Sequence, residues 1–385
     1  MGYQELTPKA LLHVGHGADE VNDTAWSVRW DEVGGFAERE DLVLGMLPPE
    51  LDFHTSGSTG PGRRWLRTRQ DAWSESGMLA DFVRGHDDRE PPGAVVSFAP
   101  PRHVYGALAG LLMPARLGVP VWYRKHFAGA MPATGQRHVA VVATPWIFAL
   151  LLRHLDWVRS FDHLTVLYSS AMLPGDALTF MDRAGAGRVT LVEILGSTET
   201  GGIATRRWRE GEPPVWTLFP DVRFAAGPSA PEPVAVEADA AIPMVIHSPR
   251  LARRPDEDPP DHWPTGDLVE RVDDRTFRLV GRIGRLVKVN GRRINLDESE
   301  HILRAAVRCA DLALVAVSDP MTGEQVDLHV VPETGSEDVA PILAEVSALL
   351  GVRPRRVHLV ARLDRSETGK LRQPPTPYSQ PGRAT

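Results

Sequence analysis

A chain of 385 residues, 42% hydrophobic and 24% charged, has the length for two domains and the composition of an ordinary globular protein. Its net charge of −7 argues against nucleic acid or an acidic membrane as a partner. A single cysteine, Cys309, excludes an internal disulfide framework and any cysteine-based zinc site; packing within an apolar helical stretch is expected for it. No apolar run approaches a membrane span and Met1–Glu20 has no signal-peptide core, so a cytoplasmic enzyme is expected.

In chain order, the first informative stretch is His54–Arg64 (HTSGSTGPGRR), small and hydroxylated until its arginines. Gly57, Gly60 and Gly62 permit close backbone approach, Thr55, Ser56, Ser58 and Thr59 bring short donors, and Arg63 and Arg64 bring fixed charge. Such a loop can close its N–H groups and hydroxyls around phosphate oxygens, although a flexible polar turn has the same composition. Gly57 and Gly62 have Walker A spacing, but Arg63 and Arg64 stand where that loop needs Lys and Ser or Thr.

From Ala94 to Ile194, β-like runs alternate with helical stretches. Ala94–Phe98, Val139–Ala143, Leu164–Tyr168 and Val189–Ile194 are rich in valine and leucine, whereas Val104–Leu117, Pro145–Leu155 and Pro174–Arg183 have helical length and period. The alternation predicts βαβ units with an active site at the carboxyl ends of parallel strands, where Leu195–Gly202 emerges. Between Arg206 and Pro264 come short β-prone pieces, Val234–Glu237 and Pro243–His247 among them, and a polar loop, Arg253–Pro264. After Gly281 the pattern predicts a hairpin around Arg285–Val289, helices over Asp297–Val307 and Val339–Leu350, and strands at Leu312–Val317, Val326–Val331 and Arg356–Val360. All ten tryptophans fall at or before Trp263, so composition shifts near this boundary as well. The expected fold class is α/β. A large N-terminal domain (1–281) has a mainly parallel sheet flanked by helices plus a β-rich part; a small mobile C-terminal α/β domain (282–373) and a disordered tail (374–385) follow.

Six motifs in order make the chain resemble the adenylate-forming superfamily of acyl-CoA synthetases, aryl-acid ligases, adenylation domains and luciferases. Thr55–Gly60 matches the start of its phosphate loop, and Ile194–Gly202 resembles its aromatic-Gly-x-Thr-Glu segment. Thr265-Gly266-Asp267 matches its Thr-Gly-Asp, and Gly281-Arg282 opens a hinge-like stretch. Lys288–Ile294 resembles its Lys-x-x-Gly-x-Arg-Ile, and Arg365–Lys370 its terminal Arg-x-x-x-Gly-Lys.

The resemblance implies ATP-dependent activation of a carboxylic acid, with Mg²⁺ as cofactor. Thr55, Ser56, Gly57, Ser58, Thr59 and Gly60, with Arg63, would hold the β- and γ-phosphates. Thr198 would donate to the α-phosphate and Glu199 would hold Mg²⁺, with Gly196 and Ser197 beside them on the nucleotide; a solvated loop carboxylate is the plainer reading of Glu199. Asp267 would accept from both ribose hydroxyls, and Arg282 would contact ribose or phosphate. Lys370 would bridge the carboxylate and the α-phosphate from a small domain that swings about the hinge. Tyr168–Met172 resembles the wall between adenine and acyl group, assigning Ser170 and Ala171 to the nucleotide and Ser169 to the acid. Pro101–Gly106 resembles the carboxylate-pocket segment, with His103, Tyr105 and Gly106 lining it; His103 faces the acyl group, or Arg102 holds a second acidic function.

The sequence also departs from the pattern. Arg63 replaces the loop lysine, Leu195 stands where an aromatic residue often stacks on adenine, and Gly284 replaces the usual polar hinge residue. Only 54 residues precede Thr55, so a reduced N-terminal subdomain is expected, its uncovered flank protected by homodimerisation. Ser169 and Ser170 favour an aryl or short unsaturated acid over a long-chain fatty acid. The implied acceptor is the thiol of CoA or of a carrier-protein phosphopantetheine. The alternatives are adenylation of an unusual acid such as nitrous acid, transfer to an amine, and a non-catalytic nucleotide-binding relative.

Overall fold

The computed structural model describes residues 2–55, 63–85, 89–125, 130–170, 173–208, 213–225, 241–283, 285–289, 292–319, 323–333, 340–365 and 371. The expected strand Val234–Glu237 and the tail 374–385 lie outside them.

Thirteen strands of the described residues form one sheet. Val121–Tyr123, Ala94–Ser97, His138–Ala143, His163–Tyr168 and Val189–Ser197 run parallel, side by side. Period-two alternation turns Val95, Val142, Leu167 and Val192 toward one core, which they share with the helix Arg69–Arg84. It turns Val96, Val141, Val166 and Leu191 toward a second core, shared with the helices Ile147–Arg153 and Gly175–Ala184. Burial on both faces is why these strands read as continuous apolar runs. Gly201–Trp208 then folds back antiparallel on Val189–Ser197. Trp216–Leu218, Thr276–Arg282, Trp263–Arg271 and Ile242–His247 extend the sheet antiparallel. The parallel sheet and the β-rich part are thus one continuous surface.

Three expectations need correction. Val104–Leu117 is helical but not uniformly α: Gly106–Leu112 is a π-helix, buried throughout, and Met113–Leu117 continues it as an α-helix. Pro145–Leu155 is two helices, Ile147–Arg153 and Leu155–Arg159, because His154 leaves helical geometry at φ −119° and ψ 37°. Cys309 lies beyond the helix Leu296–Ala306, which ends where Val307 becomes extended. It packs half-buried on the nearby core, and burial raises its thiol pKa.

A third core, built on Val287, Leu296, Leu303, Leu314, Leu328 and Val346, belongs to the C-terminal stretch. Leu286–Val289 and Arg292–Asn295 form its hairpin, and Asp311–Asp319, Gly323–Val331 and Arg356–Leu359 form its sheet. Asn295 connects this unit to the main sheet. Its Oδ1 caps the helix Leu296–Ala306 by accepting from the amides of Asp297 and Glu298, while its Nδ2 donates to the Val280 carbonyl at 2.9 Å. Among the described residues no helix is long and apolar enough to cross a membrane.

Candidate active site

The two ends of the run His54–Arg64 lie on paired strands of a hairpin, Glu50–His54 antiparallel to Arg64–Thr68. Ser56, Gly57, Ser58, Thr59 and Gly60 lie outside the described residues. At the neck, the Thr55 amide donates to the Arg63 carbonyl at 2.9 Å and the Arg63 amide to Thr55 Oγ1 at 3.1 Å. Arg63 is exposed there, and Arg64 is tied by its Nε to Asp52 at 2.5 Å.

Ser197 and Gly201 pair across a second tight turn, at the carboxyl end of the last parallel strand. A Cβ at Gly196 would lie 2.3 Å from the Gly201 carbonyl oxygen, so only glycine permits this approach. Ser197 and Thr200 fill the inside of the turn: their hydroxyls lie 3.0 Å apart and each backbone amide donates to the other's oxygen. This leaves Thr198 and Glu199 at the tip, half-exposed, with side chains that bond no described residue. Short polar groups held out from a closed turn in this way are available to a ligand.

The segment around Arg253 joins the two turns. Leu66, on the loop hairpin, exchanges backbone hydrogen bonds with Arg253, and the Ala252 amide donates to the Glu199 carbonyl at 2.8 Å. The Trp65 ring stands edge-on to Trp263 at 5.4 Å, bringing in the strand that bears Asp267. Asp267, buried, sits opposite Arg282 in the strand register, and Arg282 Nε meets its carboxylate at 3.0 Å. Asp267 and Arg282, expected as two ligand contacts, therefore also hold each other. Lys370, Ala171 and Gly284 lie outside the described residues.

On the acid side, Tyr105 donates its hydroxyl to the Leu167 carbonyl at 2.7 Å, and burial keeps that phenol well above its ordinary pKa. Ser169 donates to the Ile194 carbonyl at 3.0 Å. These bonds bring Tyr105 and Ser169 to the carboxyl ends of the strands, with His103 and Gly106 on the same segment as Tyr105. Arg102 is engaged elsewhere, 3.3 Å from Asp23 and 3.8 Å from Asp19.

Ser170 takes a φ of 92°, where a side chain costs about 1–2 kcal/mol. Ser170→Gly is expected to stabilise the fold by roughly 0.5–1 kcal/mol, the gain reduced by the greater freedom of unfolded glycine. Urea unfolding checks this; Ser170→Val, β-branched at the same φ, should lose stability instead.

Sequence reasoning missed a buried charge cluster behind the turn. Glu75 meets Arg67 Nη2 at 2.6 Å and Arg250 Nη1 at 2.5 Å, and Arg250 also grips Asp221 through Nε and Nη2. Burial alone would lower the Arg250 pKa; Glu75 and Asp221 outweigh it and keep the guanidinium charged. The four residues form no local motif: Arg67 and Glu75 lie far along the chain from Asp221 and Arg250.

Residues 52–225, which include both turns, match the family model for AMP-binding enzymes. A feruloyl-CoA synthase of Amycolatopsis sp is 28% identical, aligned over 87% of this chain and 70% of its own. A 4-coumarate–CoA ligase of Rhodobacter capsulatus is 26% identical, over 83% and 74%. Among solved structures, the anthranilate CoA ligase AuaEII in complex with anthranoyl-AMP superposes with a TM-score of 0.62 at 15% identity, covering 83% of this chain and 65% of that one. The amide bond synthetase McbA from Marinactinospora thermotolerans follows at 0.58 and 21%, covering 83% and 67%. This chain thus spans about two thirds of the length of those solved neighbours. The family-model match over residues 52–225, the curated relatives and the fold agree in likening this chain to AMP-binding, adenylate-forming enzymes.

Proposed function

We propose that this chain activates a carboxylic acid with ATP and passes the acyl group to the thiol of CoA or of a carrier-protein phosphopantetheine. The observation that carries the reading is the turn tip, where the side chains of Thr198 and Glu199 bond no described residue and the turn is tied through Ala252 and Arg253 to the phosphate-loop hairpin. In the first step a carboxylate oxygen bonds to the α-phosphorus as the bond to the β-phosphate breaks and pyrophosphate leaves. In the second, the thiol sulfur bonds to the acyl carbon, loses its proton, and AMP leaves. Thr198 supplies a hydroxyl to the α-phosphate. Glu199, whose carboxylate bonds no described residue, would hold Mg²⁺, which would supply charge neutralisation at the phosphates. Asp267 and Arg282 hold the ribose side.

Residues 282–373 act in this reading as the small domain bearing Lys370. The feruloyl and coumarate names of the relatives favour an aryl or short unsaturated acid. The enclosed Tyr105 and Ser169, both bonded to strand-end carbonyls, suit a compact acid. A screen of aryl, enoyl and fatty acids, with CoA, a carrier protein or an amine as acceptor, tests it. Mg²⁺-dependent release of pyrophosphate with AMP as nucleotide product is expected, and ADP with orthophosphate would overturn the reading.

A further inference from the structure

The buried cluster behind the turn has more order than packing requires. Arg67, Glu75 and Arg250 are each 2% exposed. Removing such charges from water is costly, and apolar side chains of similar shape often hold a fold equally well. What apolar side chains cannot do is bind the backbone of Gly202. The pairing with Val189–Ser197 shifts register between Gly202 and Ala204. At that irregularity the Gly202 amide donates to Glu75 Oε1 at 2.6 Å, and its carbonyl accepts from Arg250 Nη2 at 3.0 Å. The cluster also presses on the neighbouring residue, since a Cβ at Gly201 would lie 2.3 Å from Glu75 Oε2 and 2.4 Å from Arg67 Nη1. Among the described residues Arg67 Nε and Nη1 are buried without a hydrogen-bond partner, an arrangement tolerated for the sake of its bond to Glu75.

We infer that Glu75, gripped by Arg67 and Arg250, is a positioning residue that sets the direction in which Thr198 and Glu199 leave the sheet. The inference rests on the adenylation reading for its effect on turnover but not for its effect on the backbone. Glu75→Gln keeps the shape and an oxygen for the Gly202 amide while removing the charge that holds both arginines. Arg250→Lys keeps the charge but cannot reach Asp221, Glu75 and the Gly202 carbonyl together.

In the full chain, both variants should speed amide exchange at Gly202 about tenfold or more, leaving the C-terminal sheet unchanged. Pyrophosphate release should slow roughly 10–100-fold, the Mg²⁺ half-saturation should rise several-fold, and the KM for the acid should stay as in the wild type. Faster exchange with unchanged kcat and Mg²⁺ dependence would make Glu75 merely structural, and wild-type exchange in both folded variants would end the proposal. If Glu75→Gln fails to fold, Arg250→Lys decides by the same readings. A wild type that releases no pyrophosphate from any acid would sink the adenylation reading alone, and exchange at Gly202 would then decide the role of Glu75.

Discussion

Lys370→Ala is expected to slow adenylation by roughly 10²–10³, and to leave thioester formation from preformed acyl adenylate near the wild-type rate. Arg365 and Leu371, the described residues on either side of Lys370, pair with each other by backbone. The Arg365 guanidinium grips Asp311 through two nitrogens, at 2.6 and 3.0 Å, and reaches the Leu312 carbonyl at 2.9 Å. In the proposed reading Lys370 would stabilise charge as the carboxylate attacks, and the thiol's later attack on the acyl carbon does not call on it. The assay sets thioester formation from ATP and acid beside the same reaction from preformed adenylate. Equal losses would make Lys370 structural; no loss in either would remove it from the reaction.

Asp267→Ala is expected to weaken ATP binding on the order of 1.5–3 kcal/mol, or about 10–150-fold in Kd, through loss of a charge-assisted contact to ribose. The fold should tolerate the change. Arg282, the strand partner of Asp267, is 50% exposed and passes to water when the carboxylate is removed. Asp267→Asn, which keeps the shape, is the control for packing. Calorimetry with MgATP on the folded variants provides the measurement, and unchanged affinity would take Asp267 out of the site.

The parallel strands were legible because burial on both faces writes itself as unbroken Val and Leu. The hairpin and sheet of the C-terminal unit were legible for a related reason, since Leu312, Leu314, Leu328 and Val330 alternate toward a single core. The π-helix at Gly106–Leu112 was not, because all seven of its residues are buried and leave no polar face to betray a period. Nor was the break at His154, where the apolar pattern continues through a change in backbone geometry. Thr198, Glu199 and Asp267 could be named from short motifs. That Asp267 pairs with Arg282 needed the strand register. The residues behind the turn were beyond reach for a plainer reason: Arg250 bonds Glu75 across 175 positions, and no spacing rule spans such a gap.

The double duty of Asn295 has a consequence for populations. Its cap on the helix Leu296–Ala306 lies within the small unit and would travel with it, whereas its bond to the Val280 carbonyl exists only in the arrangement seen here. An orientation that parts Asn295 from Val280 gives up this bond and keeps the helix cap. A single neutral hydrogen bond is worth about 1 kcal/mol net, a ratio of about 5 between two orientations at ordinary temperature. In the proposed reading, a bias of that size would let a bound nucleotide or thiol, each favouring its own orientation, tip the balance with a fraction of its binding energy.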